Sequence, residues 1–377
     1  MNVLSLSIDS SIVTENGDAR YRQQQYSSHF DSYTVIVKTN KGNEEFIKNK
    51  SLTIIPTCSL NRYLFLLDAY RIAARRCRTA NVDVVTVQDP FAIGLLGWIL
   101  KRQFGVQLHT QVHTDFLEND VWRTASCERR VFTRLGRFVL PHADAIRVGT
   151  EHERKKVSSL VSDDIPIHVS PVRVDLESVT GADMASVKHL RSELDISDRP
   201  VVLFVGRFVS AKDLQCWVRV AEQTRERTAT DPVFVLVGDG PERGRLEQKT
   251  SDAGLDADVR LPGWTPRDEL AAYYQLANIF LITSKFEGTS RVVVEAGMNE
   301  LPIVATPFAG AHDNIRTGET GFVVNDEGTM ADKLTWLLEH PDEASRMGQE
   351  ARELLVDRFH PDRLVKEYVE TIQAADQ

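Results

Sequence analysis

Two stretches of the second half, "VVLFVG" (201–206) and "VFVLVG" (233–238), are apolar at every position up to their glycine. A strand with one wet face alternates polar and apolar residues. A strand covered on both faces does not, and continuous apolar runs of this length are the mark of buried parallel strands. Such runs recur along the chain, each separated from the next by a helical pattern. Strands are expected at 2–8, 33–39, 51–57, 82–88, 106–112, 145–150 and 166–171, then at 201–207, 233–239, 258–263, 279–284 and 302–307. Helices are expected at 60–80, 90–104, 121–140, 186–194, 212–228, 241–254, 266–277, 292–300, 328–339 and 342–357. Strands separated by helices build βαβ units and parallel sheets. About a dozen strands exceed one ordinary sheet, and the series restarts at Val201 after the polar helical "DMASVKHLRSELDISDRP" (183–200). The boundary falls within 172–185, dividing residues 1–175 from 176–358. At 377 residues the chain is long for one core and comfortable for two. The fold class predicted is α/β, with two Rossmann-like, doubly wound parallel-sheet domains facing a cleft, the usual place for a ligand.

Charge narrows the class of function. Residues 1–180 carry 23 basic and 20 acidic side chains, and residues 181–377 carry 22 and 34, for a net charge of −9. An acidic chain with no basic tail is a poor nucleic-acid binder. The longest apolar run, "FAIGLLGWIL" (91–100), is too short to span a bilayer. The N-terminal "MNVLSLSIDSS" has no basic n-region and no cleavage site, so no signal peptide is expected. Cys58, Cys77, Cys127 and Cys216 are scattered without metal or redox spacing, which fits a reduced, cytoplasmic protein.

The chemistry gathers in loops that directly follow strands of the second half. "GRFVSAKDL" (206–214) offers Arg207 and Lys212, two cations suited to a diphosphate. "GDGPERGRL" (238–246) follows the next strand. "SKFEGTSRVVVEAG" (284–297) places Glu287 at a strand end and Glu295 about one turn into a helix. Between them, the backbone N–H groups of Thr289, Ser290 and Arg291 stand where a helix start favours anions. Carboxylates accept hydrogen bonds from vicinal hydroxyls, so one can hold a sugar and the other a ribose. In an open parallel sheet all these loops meet at the C-terminal strand edge.

With these residues in place, the chain resembles the retaining GT-B glycosyltransferases, the group 1 family that includes sucrose synthase and phosphatidylinositol mannosyltransferase. The resemblance rests on Gly206-Arg207 with Lys212, Gly238-Asp239-Gly240-Pro241, Leu261-Pro262-Gly263, the Glu287/Glu295 pair and Thr320-Gly321-Phe322. It implies that Arg207 and Lys212 contact the donor diphosphate, Glu287 the transferred sugar and Glu295 the ribose. Gly238, Gly240, Gly288, Thr289, Ser290 and Arg291 would complete the nucleotide-sugar site. "QVHTDF" matches the loop whose histidine lies near the donor sugar, which makes His113 the catalytic candidate with Asp115 beside it. Where the family carries a Gly-Gly loop after its first strand, this chain has "DSSIVTENGDARYRQQQY", with Gly17, Arg20 and Arg22. Asp175 stands at the linker, and the last helix (359–377) would return to the first domain. The activity implied is hexosyl transfer from a UDP- or GDP-linked sugar to an acceptor hydroxyl, in glycan, glycolipid or polysaccharide synthesis, with no cofactor. Alternatives are a nucleotide-sugar-binding protein with weak turnover, a sugar-nucleotide epimerase, and a phosphorylase, which would need a Schiff-base lysine that no flanking pattern supports.

Simpler readings stand beside several of these residues. Thr150 and Glu151 begin a helix, and capping accounts for them. Asp256-Ala-Asp258 reads as a polar turn at the wrong sheet edge, and no catalytic metal is expected. His312 and Asp313 lie in a mouth loop where a sugar contact and a structural role are equally open. The segment 121–140, with Arg123, Arg129, Arg130, Arg134 and Arg137, reads as a core-packed helix with a solvated basic face. Peripheral contact with an anionic membrane at its inner face is the alternative.

Overall fold

The structure is a computed structural model that describes residues 1–15, 17–40, 47–49, 51–124, 126–174 and 176–377; Asp175 lies outside the described residues. The chain divides into two compact units, Met1–Val172 with Pro361–Gln377, and Arg173–His360.

In the first unit the expected runs become β1 (Asn2–Ser7), β2 (Ser32–Val37), β4 (Leu52–Pro56), β5 (Val84–Val87), β6 (Gln107–Val112), β7 (Ala145–Val148) and β8 (Ile167–Val169), and an unexpected strand, β3 (Ile47–Asn49), joins them. They form one sheet in the order β3-β4-β2-β1-β5-β6-β7-β8. All pairings are parallel except β3 with β4, which closes one edge. β1 lies between β2 and β5, with Leu4 opposite both Thr34 and Val85. The chain therefore winds outward from β1 in both directions, and the β1/β5 boundary is the switch point where a doubly wound sheet opens a crevice. The C-terminal helix Pro361–Gln373 belongs to this unit. It buries Val365, Tyr368, Val369 and Ile372 in the core formed by Val35, Val37 and Ile54.

The second unit contains β9 (Val201–Val205), β10 (Val233–Val237), β11 (Val259–Gly263), β12 (Ile279–Ile282), β13 (Ile303–Ala305) and β14 (Gly321–Val323). Their order is β11-β10-β9-β12-β13-β14, with every pairing parallel. β9 and β10 are buried at every position, as their unbroken apolar sequence predicts. The switch point here lies between β9 and β12.

Three local expectations change. The single helix at 121–140 is two, Asp120–Thr124 and Cys127–Val139. Ser126 caps the second by accepting from the Arg129 N–H at 3.2 Å, and a serine gains more as a cap than inside a helix. The stretch after β1 is a short turn, Ser10–Val13, followed by an unforeseen helix, Asp18–Ser27. The helix expected at 266–277 starts as a 3-10 turn, Arg267–Glu269, before Leu270–Leu276. Among the described residues no helix is long and apolar enough to cross a membrane.

Candidate active site

At the switch point of the second unit, Lys212 after β9 and Glu287 after β12 form an ion pair. Glu287 Oε1 also accepts from Ser284 Oγ at 3.0 Å. The β9 loop is fixed from beneath, because Thr283 Oγ1 donates to the carbonyls of Lys212 and Asp213 at 3.0 and 3.1 Å. Arg207, in the same loop, is exposed and has no carboxylate partner among the described residues. Gly238 and Gly240 have φ of 144° and 154°, and a Cβ on either would run into the backbone of Gly206 or Phe208. Their role here is close loop packing: the Gly206 and Phe208 N–H groups bond the Val237 and Asp239 carbonyls at 3.0 and 2.8 Å.

Ser290 caps the helix Arg291–Met298 with φ 51° and ψ 91°, an unusual conformation for a residue with a side chain. Its hydroxyl is buried and has no partner among the described residues. The carbonyls of the preceding loop are used: Gly288 accepts from Gly310 N–H at 3.1 Å, and Thr289 from Asn314 Nδ2 at 2.9 Å. The loop is thus held from its carbonyl side, and its amides lead into a helix start, an arrangement suited to anions.

Glu295 departs from expectation. It does not face an open mouth, being only 2% exposed. Its Oε1 pairs with Arg267 Nη1 at 2.8 Å and its Oε2 accepts from Tyr274 OH at 2.8 Å. Both oxygens hold this helix to the segment 267–276. The sequence suggested otherwise because an acid one turn into a helix is usually wet. The signal against it was Arg267 and Tyr274, 28 and 21 positions away.

Asp313 pairs with Arg358 at 3.4 Å while His312 is exposed, so Asp313 ties its short helix to the helix Pro341–Arg358. Asp258 is buried between Arg199 and Arg225, at the strand edge opposite to Lys212 and Glu287.

In the first unit two cavities open at the β1/β5 switch point and share His113. The larger, about 900 Å³, is walled by Phe65, Phe91, Trp122 and Phe132, with Asp89 and His113 at its sheet edge. Asp89 was not singled out in the sequence, although it directly follows the β5 run in "VQDP". Burial raises its pKa to about 6, against the pull of the Phe91 N–H that its Oδ1 accepts at 2.8 Å. The smaller cavity, about 220 Å³, is bordered by Arg22, Gln111, His113, Arg147 and Tyr368.

A polar chain fixes the histidine. Arg147 Nη1 donates to Gln111 Oε1 at 3.0 Å, which orients that amide. The same oxygen lies 3.1 Å from His113 Nε2, so Nε2 carries the proton and Nδ1 remains an acceptor. Burial, then the Arg147 charge, then Arg22, push the His113 pKa down to about 3. The ring stays open to the cavity, so water opposes part of this, but the direction leaves a neutral imidazole at pH 7. Asp115 is not its partner: it pairs with Lys156 at 2.7 Å and accepts from Asn119 at 3.2 Å. Arg20 and Arg22 separate, since Arg20 donates to the Ile12 and Val13 carbonyls and braces the turn, whereas Arg22 borders the small cavity. Thr150 caps its helix by accepting from Glu153 N–H at 3.1 Å.

Two parallel-sheet Rossmann-like units, each with its polar residues at a switch point, define the GT-B architecture. Residues 187–354 match the family described as glycosyl transferases group 1, and residues 51–173 match the glycosyl transferase 4-like domain. Both units therefore carry a glycosyl transferase domain, the second of group 1. It is 32% identical over 173 residues to an alpha-D-kanosaminyltransferase of Streptomyces kanamyceticus, a match spanning 45% of each chain. It is 27% identical to a GDP-mannose-dependent alpha-(1-6)-phosphatidylinositol monomannoside mannosyltransferase of Mycolicibacterium smegmatis, over 74% of this chain and 73% of that one. Sucrose-phosphate synthase from Thermosynechococcus elongatus superposes with a TM-score of 0.79 at 20% identity over 98% of both chains. Anabaena HepE, solved with UDP-glucose, gives 0.74 at 16% identity over 99% of this chain and 100% of that one.

Proposed function

We propose that the chain transfers a hexosyl group from a nucleoside-diphospho-sugar to an acceptor hydroxyl, with retention at the anomeric carbon and without a metal ion. The observation that carries this reading is the Lys212–Glu287 pair at the β9/β12 switch point, between Arg207 and the amide-rich start of helix Arg291–Met298. As the glycosidic bond breaks, charge develops on the leaving diphosphate. Arg207, Lys212 and the 289–291 amides are placed to meet it. Lys212 moves from carboxylate to phosphate, which releases Glu287 for the sugar hydroxyls. In this reading Glu287 holds the sugar hydroxyls and forms no bond to the anomeric carbon. The acceptor attacks from the face the diphosphate leaves, and its proton passes to the departing phosphate. Neutral His113 offers Nδ1 to a substrate hydroxyl. Glu295 acts through the helix it anchors.

Relatives named for GDP-mannose and neighbours solved with UDP or UDP-glucose support a nucleotide-sugar donor with either base. The 900 Å³ cavity is the acceptor site in this reading, and its apolar walls suit an acceptor with a hydrophobic part. A lipid-linked acceptor is compatible with helix Cys127–Val139, whose Val131 and Phe138 are exposed among Arg130, Arg134 and Arg137. The test is a panel of UDP- and GDP-sugars scored for donor hydrolysis, with the anomeric configuration of the released or transferred sugar followed by proton NMR. Product of inverted configuration, or no turnover with any donor that binds, would sink the proposal.

A further inference from the structure

Arg147 is a cation buried without a counter-charge. It is 3% exposed. Its Nε and Nη2 donate to the Ser170 and Pro171 carbonyls at 2.8 Å each, its Nη1 donates to Gln111, and its guanidinium lies 4.7 Å from the centre of the Tyr368 ring. All these partners are neutral, and no carboxylate pairs with Arg147 among the described residues. Removing a charge from water is costly unless an opposite charge compensates it. A purely structural arginine is commonly given an acid; this one borders an open cavity of about 220 Å³ instead. Arg22 borders the same space. So does Gln23, 8% exposed, whose side-chain oxygen is buried without a hydrogen-bond partner among the described residues. An amide end-for-end flip presents its NH₂ or its oxygen to that space. The lining also carries one acid, Asp9, whose Oδ1 accepts from the Ser11 N–H at 3.1 Å and the Ser11 hydroxyl at 2.6 Å, and which forms no ion pair with Arg147.

We propose that this cavity is an oxyanion-binding subsite, in which a phosphate or carboxylate carried by a substrate supplies the counter-charge of Arg147, with Arg22 as a second cation on the same lining. The guanidinium fork suits such groups. His113 borders the same cavity, so an anion bound here lies beside the catalytic candidate. In the transferase reading two sources exist, the diphosphate of the donor and an acidic group on the acceptor, and the site itself does not depend on which one fills it.

The probe is inorganic phosphate against chloride at matched ionic strength, read as the melting temperature of the full chain without donor or acceptor. Phosphate at ten times its dissociation constant should raise the transition by about 3 °C. Arg147→Met replaces the guanidinium by an apolar chain, and Arg22→Gln removes the other charge from a less buried position. Both should abolish the phosphate-specific shift. Should Arg147→Met fail to fold, Arg22→Gln and the wild-type phosphate titration still decide. No shift in the wild type, or the same shift in Arg22→Gln, overturns the subsite. A second arm adds UDP or GDP at saturation. A phosphate shift that persists on top of the nucleotide assigns the anion to the acceptor, and one that disappears assigns it to the donor. Because the phosphate arm needs no turnover, a chain inactive on every sugar nucleotide can still pass or fail it.

Discussion

Glu287 keeps Lys212 and Ser284 as partners while 19% of its side chain stays exposed, and Glu295 is sealed against Arg267 and Tyr274. Their substitutions should therefore separate. Glu287→Gln keeps the size and one acceptor oxygen, so it should leave the melting temperature near wild type. Losing the charge that answers Lys212 and the sugar should lower kcat by about 10²–10³. Glu295→Ala leaves the buried Tyr274 hydroxyl and the Arg267 guanidinium short of a partner, at a cost of about 3 kcal/mol. The second unit should then melt at least roughly 6 °C lower. A Glu295→Ala protein that melts like wild type and loses only nucleotide affinity would return Glu295 to the binding surface. Metal dependence is also decided among residues. Arg207, Lys212 and the 289–291 amides already face the diphosphate in the proposed reaction, and Asp258 is committed to Arg199 and Arg225. Turnover should survive EDTA undiminished, and loss restored by Mg²⁺ or Mn²⁺ would show that a cation shares this charge.

The helix Glu151–Ser158 carries its own pH sensor. Burial raises the Glu153 pKa from 4.5 to about 8, against the pull of the Gly149 N–H, whose hydrogen bond it accepts at 2.9 Å. The folded chain then holds a proton that the unfolded chain has lost, so stability falls as pH rises from 4.5 towards 8. Asp89 acts in the same sense only up to about pH 6, while His109, His113 and His168, whose pKa values burial lowers, act in the opposite sense up to about pH 7. Between about pH 7 and 8 the histidine contribution fades and the slope is mainly that of Glu153. Glu153→Gln keeps the acceptor and removes the titration, and should flatten the fall in melting temperature over that interval; an unchanged slope would place its cause elsewhere. This helix also marks how far the sequence could be read. Its cap at Thr150 was legible, because capping is local. So were β9 and β10, whose unbroken apolar runs require cover on both faces, and the loops that carry Arg207, Lys212 and Glu287. The pairing of Lys212 with Glu287, 75 positions apart, follows only once β9 and β12 are neighbours. Arg147 was read past as one residue of the strand "AIRV", and a charge inside an otherwise apolar strand was the available signal. Tyr368 gave none, since its role depends on where the last helix packs.

On the scale of the whole chain, the crossing between units and the returning helix meet one polar cluster. Arg147 binds the carbonyls of Ser170 and Pro171, just before the first unit ends at Val172, and stacks on Tyr368 of the helix Pro361–Gln373. The Tyr368 hydroxyl lies 3.2 Å from Tyr33 OH and accepts from Gln111 Nε2 at 3.4 Å, and Gln111 in turn holds His113. The last helix is thus part of the first unit's core and also a support for its catalytic candidate. Removing residues 361–377 takes away the buried Val365, Tyr368, Val369 and Ile372, each contributing about 1.5–3 kcal/mol. The sum rivals the whole stability of an ordinary domain. The second unit, Arg173–His360, keeps its own core, drawn entirely from residues 179–347. The truncated chain should therefore keep slow amide exchange and nucleotide binding in residues 173–360, lose protection across β1, β2, β5 and β6, and lose turnover. Hydrogen-exchange mass spectrometry resolves the two units in one sample. Uniform loss of protection throughout 173–360 would mean that the second unit does not stand alone. Full protection of β1 and β2 without the last helix would mean that its packing contributes far less than its burial implies.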